Sequence, residues 1–560
     1  MPGGLIQIVA YGAQDLFLTG IPEITHFKYI YKRYTNFAME FLELPFNGTK
    51  NFGETITCPI PKNGDLINST ILKLELPKVK LEKTTTNTDL VSSTLSEFNN
   101  SENNIINFNN FIKYIYESIY IVNNGINNSN ETFTNIKSSV TAYLDSNKNF
   151  ILLKNKVSND IKQAFDIEAD LTTIFAKNVN EIEKKNYLKI VIESYIERSK
   201  NILNILQSDY STKKKNYDNT LLNNYKFCWI KDLGWNIINY VELQIGGVII
   251  DRQYSTWLHL WHELFENILK KNDYNKFFNK NSNAYTFDNS EKDNISLYIP
   301  LKFFFNRHIG LSLPIVSIRN QEISFKLKLE NLNNLIYTDY SGSDINSLIN
   351  LSNINLLVNY IYLDQDERSK FAQSSHEYLI EQVNKLTFNK LKSEELNLEL
   401  NLNHPTKYYT WTAQKKTDVE NYKFYNDYTG NLTYTVTDNY PQISSNKNNT
   451  IKQAQLELNG VDRTSNYEGS FYNYVTSYEA NINTPSDGIN FYTFSLNPKD
   501  IQPSGSCNFS RLNRKTIKLS FTDEFLSRFS NTEYILINFI SVNYNILKFD
   551  KGLCKLVFAY

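Results

Sequence analysis

The segment HLWHE is the one place in this chain where residue types and spacing could hold a metal. His259 and His262 fall one turn apart on an expected helix, with Glu263 beside them. Two imidazoles so placed could fill two positions around zinc, with a carboxylate as general base, which is the chemistry of metal-assisted hydrolysis. The order is not H-E-x-x-H, however, and the chain holds six histidines in all. Neither a third ligand nor a base can be named, so both histidines read as packing or surface residues. No phosphate loop, G-x-S-x-G elbow or G-x-G-x-x-G occurs. The expectation is a non-enzyme with no catalytic residue, no cofactor and no metal.

Other groups that could carry chemistry are equally sparse. Cys58, Cys228, Cys507 and Cys554 form no C-x-x-C pair, so neither a disulfide framework nor a zinc knuckle is indicated and a reducing compartment is expected. Asn47 in NGT and Asn68 in NST match glycosylation sequons, which so Asn-rich a chain produces by chance. The net charge of −1 and the lack of a basic arm argue against direct nucleic-acid packaging, which needs cations to displace phosphate counterions. Lys213 to Lys215 reads as a solvated loop. The first residues carry no basic region before an apolar stretch, Pro2 excludes myristoylation, and no uncharged apolar run reaches the ~20 residues of a membrane span. A soluble protein made in the cytosol is expected.

The elements around these residues are more informative, because one β-rich pattern occurs twice. VELQI-GG-VIIDR runs from Val241 to Arg252, and AQLEL-NG-VDR from Ala454 to Arg463. Gly246-Gly247 and Asn459-Gly460 supply the two positive-φ positions of a type I′ hairpin turn. These four residues are the structural turn positions predicted here. The correspondence continues with ISLYIPLKFFF and ISFKLKL in the first copy, INFYTFSL and TIKLSF in the second. Each copy closes on a long alternating strand, LLVNYIYL ending at Leu363 and ILINFISVNYNIL ending at Leu547. A length of 560 residues suits two sandwiches with insertions, and 38 Tyr with 35 Phe suit pleated faces and interfaces.

The period divides the chain further. An N-terminal arm is placed at 1–25 and the first sandwich at 26–363, interrupted by an insertion at 82–222 that has no Pro, one Gly and a period near 3.6. Within it, Phe108, Phe111, Ile112, Ile115, Tyr116 and Ile119 define one helical face, and Leu188, Val191, Ile192, Tyr195, Ile202 and Leu206 another. Such long insertions belong in surface loops, since closure costs little more as length grows. A connector, read as a solvated short helix, is placed at 364–382, and the second sandwich at 383–560.

Several stretches then resemble one family, the major capsid proteins of the nucleocytoplasmic large DNA viruses of algal-virus and giant-virus type. They include GGLIQIVAYGAQDLFLTG with ITHFKYIYKRYTNFAME, KDLGWNIINYVELQIGGVIID with YSTWLHLWHEL, and LYIPLKFFFNRHIGLSLP. NYIYLDQDERSKFAQSSHEYLIEQ, LNHP before Trp411, GSCNFSR from Gly505 to Arg511, and VNYNILKF continue the match in the same order. The insertion departs from the family pattern, as does KGLCKLVFAY at the end, where a Gly- and Met-rich tail is usual.

The resemblance implies an all-β double jelly roll, two eight-stranded antiparallel β-sandwiches side by side, with a mainly helical insertion in the first. It implies a structural protein of the virion whose homotrimers form pseudo-hexagonal capsomers of an icosahedral shell around double-stranded DNA. The implied partners are the chain itself, neighbouring capsomers and minor capsid proteins beneath, with no direct nucleic-acid contact and no membrane span. The arm would lie on the inner side and the insertion on the outer surface, where it could meet the host. Two other readings share the composition: a β-sandwich glycan-binding attachment protein, and a double-jelly-roll membrane scaffold shed on maturation. A cupin-type enzyme is the weakest, for want of a His-rich metal set on inward strands.

Overall fold

Alternating apolar and polar residues become paired strands in two sets of eight. The computed structural model describes residues 3–82, 88–128, 131–147, 156–158, 161, 165–221, 224–342 and 344–558. The first set is β1 (Phe37–Pro45), β2 (Thr55–Pro59), β3 (Leu66–Leu76), β4 (Ile238–Ile245), β5 (Val248–Tyr254), β6 (Ile295–Pro300), β7 (Ile323–Leu329) and β8 (Asn353–Leu363). The second is β9 (His376–Leu391), β10 (Glu395–Glu399), β11 (Pro405–Lys415), β12 (Ile451–Leu458), β13 (Val461–Asp462), β14 (Asn490–Thr493), β15 (Lys515–Phe521) and β16 (Tyr534–Asp550).

Two antiparallel sheets of the first set run β1-β8-β3-β6 and β2-β7-β4-β5, and those of the second run β9-β16-β11-β14 and β10-β15-β12-β13. Adding eight to each label of the first set gives the second, so one topology occurs twice. Short strands Cys507–Asn508, Leu553–Leu556 and Tyr467–Glu468 extend the second set. This is a double jelly roll with a helical insertion.

Register fixes which segments share an end. Phe37 pairs with Leu363, and Ile361 with Leu66, so the start of β1, the end of β8 and the start of β3 lie together. At the other end Pro45 pairs with Asn355, and Asn353 with Glu75. The arm enters at the first end and the insertion leaves after Leu76 at the second. In the second roll the segment between β11 and β12 again departs from the end opposite the start of β9, because Leu391 pairs with Tyr534 and Lys415 with Ile535.

Among its described residues the insertion forms α1 (Thr88–Asn127), α2 (Phe133–Ser146), α3 (Ile167–Phe175) and α4 (Glu181–Leu221), with a core of its own. Thr132 and Asp166 cap α2 and α3 by accepting the Asn135 and Ala169 N–H groups. Gly125 lets α2 come close, since a Cβ there would sit 2.5 Å from Ile136 Cγ1. Phe108, Phe111, Ile112, Ile115 and Ile119 are buried as the stripe predicts, but Tyr116 is exposed and reaches Ser199 with its hydroxyl at 2.7 Å. It lies at the edge of that face, where a phenol can keep its polar tip wet.

Among the described residues the first paired strand begins at Phe37. The segment read as a connector is helical over Gln365–Gln373, capped by Asp364, and β9 then starts at His376. Charged residues such as Glu377 and Glu381 mask the alternation of β9; Glu381 faces two buried cations, Arg307 of the first roll and Lys407 of its own.

The rolls share packing. Ile540, Val542 and Tyr408 join the hydrophobic cluster of the first roll, whereas Phe539, Ile537 and Tyr409 fill the second roll's core. β11 is accordingly buried on both faces along nearly its whole length.

Candidate assembly surfaces

Each predicted residue has a place, and none of them converge on a reactive centre. His259 and His262 lie on the helix Ser255–Phe265, which follows β5. His259 packs on Tyr428 with ring centroids 5.8 Å apart, and His262 lies edge-on to Tyr274 at 4.4 Å. Glu263 accepts the Ser486 hydroxyl at 3.0 Å from the second roll. HLWHE therefore joins the two rolls. Among the described residues no cluster of three or more metal-ligating side chains occurs.

The turn residues adopt the conformations their types require. Gly246 and Gly247 have φ of 58° and 79°, and Asn459 and Gly460 have 52° and 81°, at equivalent β4–β5 and β12–β13 turns. Asn459 also accepts the N–H groups of Asn513 and Arg514 at 2.9 and 3.0 Å, tying its turn to the start of β15.

A polar seam between the rolls is the arrangement that sequence reading missed. Asp251 on β5 accepts the Val383 N–H at 2.9 Å, and Gln382 donates to the Ile250 carbonyl at 2.5 Å. Glu381 is held between the guanidinium of Arg307 and the Lys407 ammonium, the latter at 2.7 Å. Lys302 pairs with Glu266 at 3.0 Å and sits over the Trp261 ring at 3.9 Å. Burial lowers the pKa of Lys302 and Lys407 against the pull of their carboxylates. Burial likewise works to raise Glu266, but Lys302 and the Tyr274 hydroxyl outweigh it and hold the carboxyl below its usual range. Such a seam fixes one orientation of the rolls, because each charge taken from water must find its partner.

The outer surfaces carry unsatisfied apolar area. Along residues 3–36 only two short helices form, Gly3–Val9 and Leu16–Thr19, and neither buries a residue. Phe17, Ile21 and Phe27 are 92%, 96% and 99% exposed. Each large apolar side chain left in water forgoes ~1.5–3 kcal/mol of burial, and β1 continues the strip with Phe37, Met39 and Phe41 exposed at a sheet edge. A contiguous patch of this kind marks a surface that another chain covers. No described helix is long and apolar enough to cross a membrane.

Two jelly rolls of one topology, joined by shared packing and a polar seam, define a double-jelly-roll protein. Residues 25–191 and 195–364 match the family described as "Major capsid protein N-terminus", and residues 367–554 match "Large eukaryotic DNA virus major capsid protein". The chain belongs to the major capsid proteins of large eukaryotic DNA viruses, and its place is the virion shell. The major capsid protein of Pyramimonas orientalis virus is 27% identical, and that of Paramecium bursaria Chlorella virus 1 is 26% identical, each over 100% of both chains. Among solved structures, PBCV-1 VP54, fitted into a reconstruction of the virophage Sputnik, is similar with a TM-score of 0.59 at 22% identity. That match covers 96% of this chain and 100% of the other. The Faustovirus major capsid protein is similar with a TM-score of 0.55 at 12% identity, over 96% and 94% of the two chains.

Proposed function

We propose that three copies of this chain form a homotrimeric capsomer of pseudo-hexagonal outline, which tiles an icosahedral shell. The observation that carries this is the repeated strand order: one chain presents two similar wedges, so threefold symmetry yields six. The protein acts as a building block and performs no catalysis. The arm reaches inward to neighbouring capsomers and minor proteins, without touching the genome. The insertion projects outward, a reading supported by its leaving the first roll at the end opposite the arm. Outward growth meets solvent or a host surface, whereas inward growth would compete with whatever lines the shell.

Sedimentation velocity of the purified chain tests the capsomer. A single trimeric species is expected at micromolar concentration, with pseudo-hexagonal particles in negative stain. A stable monomer under those conditions would overturn the proposal.

A further inference from the structure

At the end of the molecule that carries the insertion, a cavity of about 490 Å³ opens between the two rolls. One wall is the strand Ile336–Thr338 and the loop after it, from the connection between β7 and β8. The other is the helix Lys416–Tyr422 and the hairpin beyond it, from the connection between β11 and β12. Tyr337 ties the walls together by donating its hydroxyl to the Tyr422 carbonyl at 2.5 Å. The size falls within the ~300–1,000 Å³ of small-molecule sites.

Lys423 is the unusual member of the lining. It ends the helix in a left-handed conformation, φ 59°, which turns its side chain between the rolls. Its ammonium donates to the Ile336 carbonyl and lies 4.8 Å from the Tyr337 ring centroid. Lys302 and Lys407 in the seam have carboxylates, Glu266 and Glu381, whereas Lys385 donates to the Thr256 hydroxyl at 3.4 Å and, unlike Lys423, lines no described cavity. No ion pair is recorded for Lys423 among the described residues. Burial brings its pKa down to about 8, against an opposing pull from Cys228. A partly desolvated cation without a counter-charge is costly unless an anion comes from outside.

The rest of the lining is aromatic and amide. Tyr337, Tyr340 and Tyr422 contribute rings, and Asn333, Asn421 and Asn439 contribute side chains that both donate and accept. Ring faces suit the C–H faces of a pyranose, amides suit its adjacent hydroxyls, and the ammonium suits a carboxylate.

We propose that this cavity binds an acidic sugar residue, a uronate or a sialate, with Lys423 holding the carboxylate and the tyrosines flanking the ring. The binding stands on the cavity itself; only the supposition that it would meet host or viral surface glycans rests on the proposed outward orientation.

The test is calorimetry or ligand-observed NMR on the full chain with glucuronate and N-acetylneuraminate, using glucose and sodium sulfate as comparison probes. An acidic sugar is expected to bind in the millimolar range or tighter and more strongly than glucose or sulfate. Lys423→Met keeps the aliphatic stem and should weaken binding at least tenfold. Asn421→Ala provides a second variant, on an exposed side chain, and should weaken it several-fold. Raising the pH through about 8 should weaken binding to the native chain as the ammonium loses its proton. Equal binding of sulfate would reduce the cavity to a plain anion site and overturn the sugar assignment. No binding of either acid at tens of millimolar, or undiminished binding by Lys423→Met with a native melting temperature, would overturn it entirely. Trimer formation is read separately by sedimentation, so failure of the capsomer proposal and failure of the site are distinguishable.

Discussion

The carboxylate of Asp251, on β5 of the first roll, accepts the main-chain N–H of Val383, on β9 of the second, at 2.9 Å. Burial lifts the Asp251 pKa to about 6, opposed by the Val383 N–H, the Gln253 amide, Arg307 and the Arg252 N–H. An acid raised on folding binds its proton more tightly in the folded chain. Its contribution to stability is therefore best at low pH, falls as pH rises from ~4 through about 6, and is least favourable above that.

Asp251→Asn keeps an acceptor for Val383 and removes the charge. The variant is expected to gain stability at neutral pH, by roughly 3 kcal/mol at most, and to flatten the pH dependence between the ordinary aspartate range and about 6. Urea unfolding at several pH values measures both. A clear loss of stability at neutral pH would mean that the ionised acid is favourably paired with Arg307.

Glu381→Ala should cost more than any surface change nearby. It leaves Arg307 and Lys407 together in a buried seam without their shared carboxylate, and removing one partner of such a pair typically costs ~3–5 kcal/mol. Chemical denaturation gives the value. A cost below about 1 kcal/mol would show that water reaches the seam.

The helical insertion should be separable from the roll that carries it. Its hydrophobic core contains only its own residues, and replacing residues 85–220 with a short Gly-Ser linker removes that core whole. The shortened chain is expected to stay folded and trimeric, with a large loss of helical circular dichroism and a reduced particle height. Failure of the first roll to fold would show that the insertion stabilises it from outside.

At the hairpin turns, Asn459→Ala should destabilise by ~1–2 kcal/mol, since it forces alanine to positive φ and releases the N–H groups of Asn513 and Arg514. Gly247→Ala meets nothing within 4 Å, so only its φ of 79° opposes it and a cost of about 1 kcal/mol is expected. Thermal melts rank the two. If the order reverses, the Asn459 hydrogen bonds contribute nothing.

Removing residues 1–34 should spare the trimer and impair shell assembly. Among its described residues the arm pairs with no strand, yet it exposes Phe17, Ile21 and Phe27. Sedimentation and electron microscopy separate the two effects. Loss of the trimer would place the arm within the capsomer.

Local signals made the duplication legible. Gly246-Gly247 and Asn459-Gly460 set their turns through φ, and the alternation in Ile323–Leu329 set its buried face, because both effects act within a few residues. The seam was not legible, since Asp251, Arg307, Glu381 and Lys407 meet only after folding and share no spacing along the chain. The same seam hid β9: its polar residues, which face buried partners, resemble those of a solvated connector. Lys423 gave no sequence signal either, as its interest lies in a missing carboxylate.

The positions of the last strands have a consequence for synthesis. β8 lies between β1 and β3, and β16 lies between β9 and β11, so the final strand of each roll is an interior member of its sheet. Until β16 has been made, β9 and β11 lack the strand that separates them, so the second roll can close only after its own last strand has emerged. Pairings so distant along the chain form slowly. A product terminated before β16 therefore lacks the middle of a sheet rather than an edge, and exposes the apolar faces and unpaired strand edges that favour aggregation.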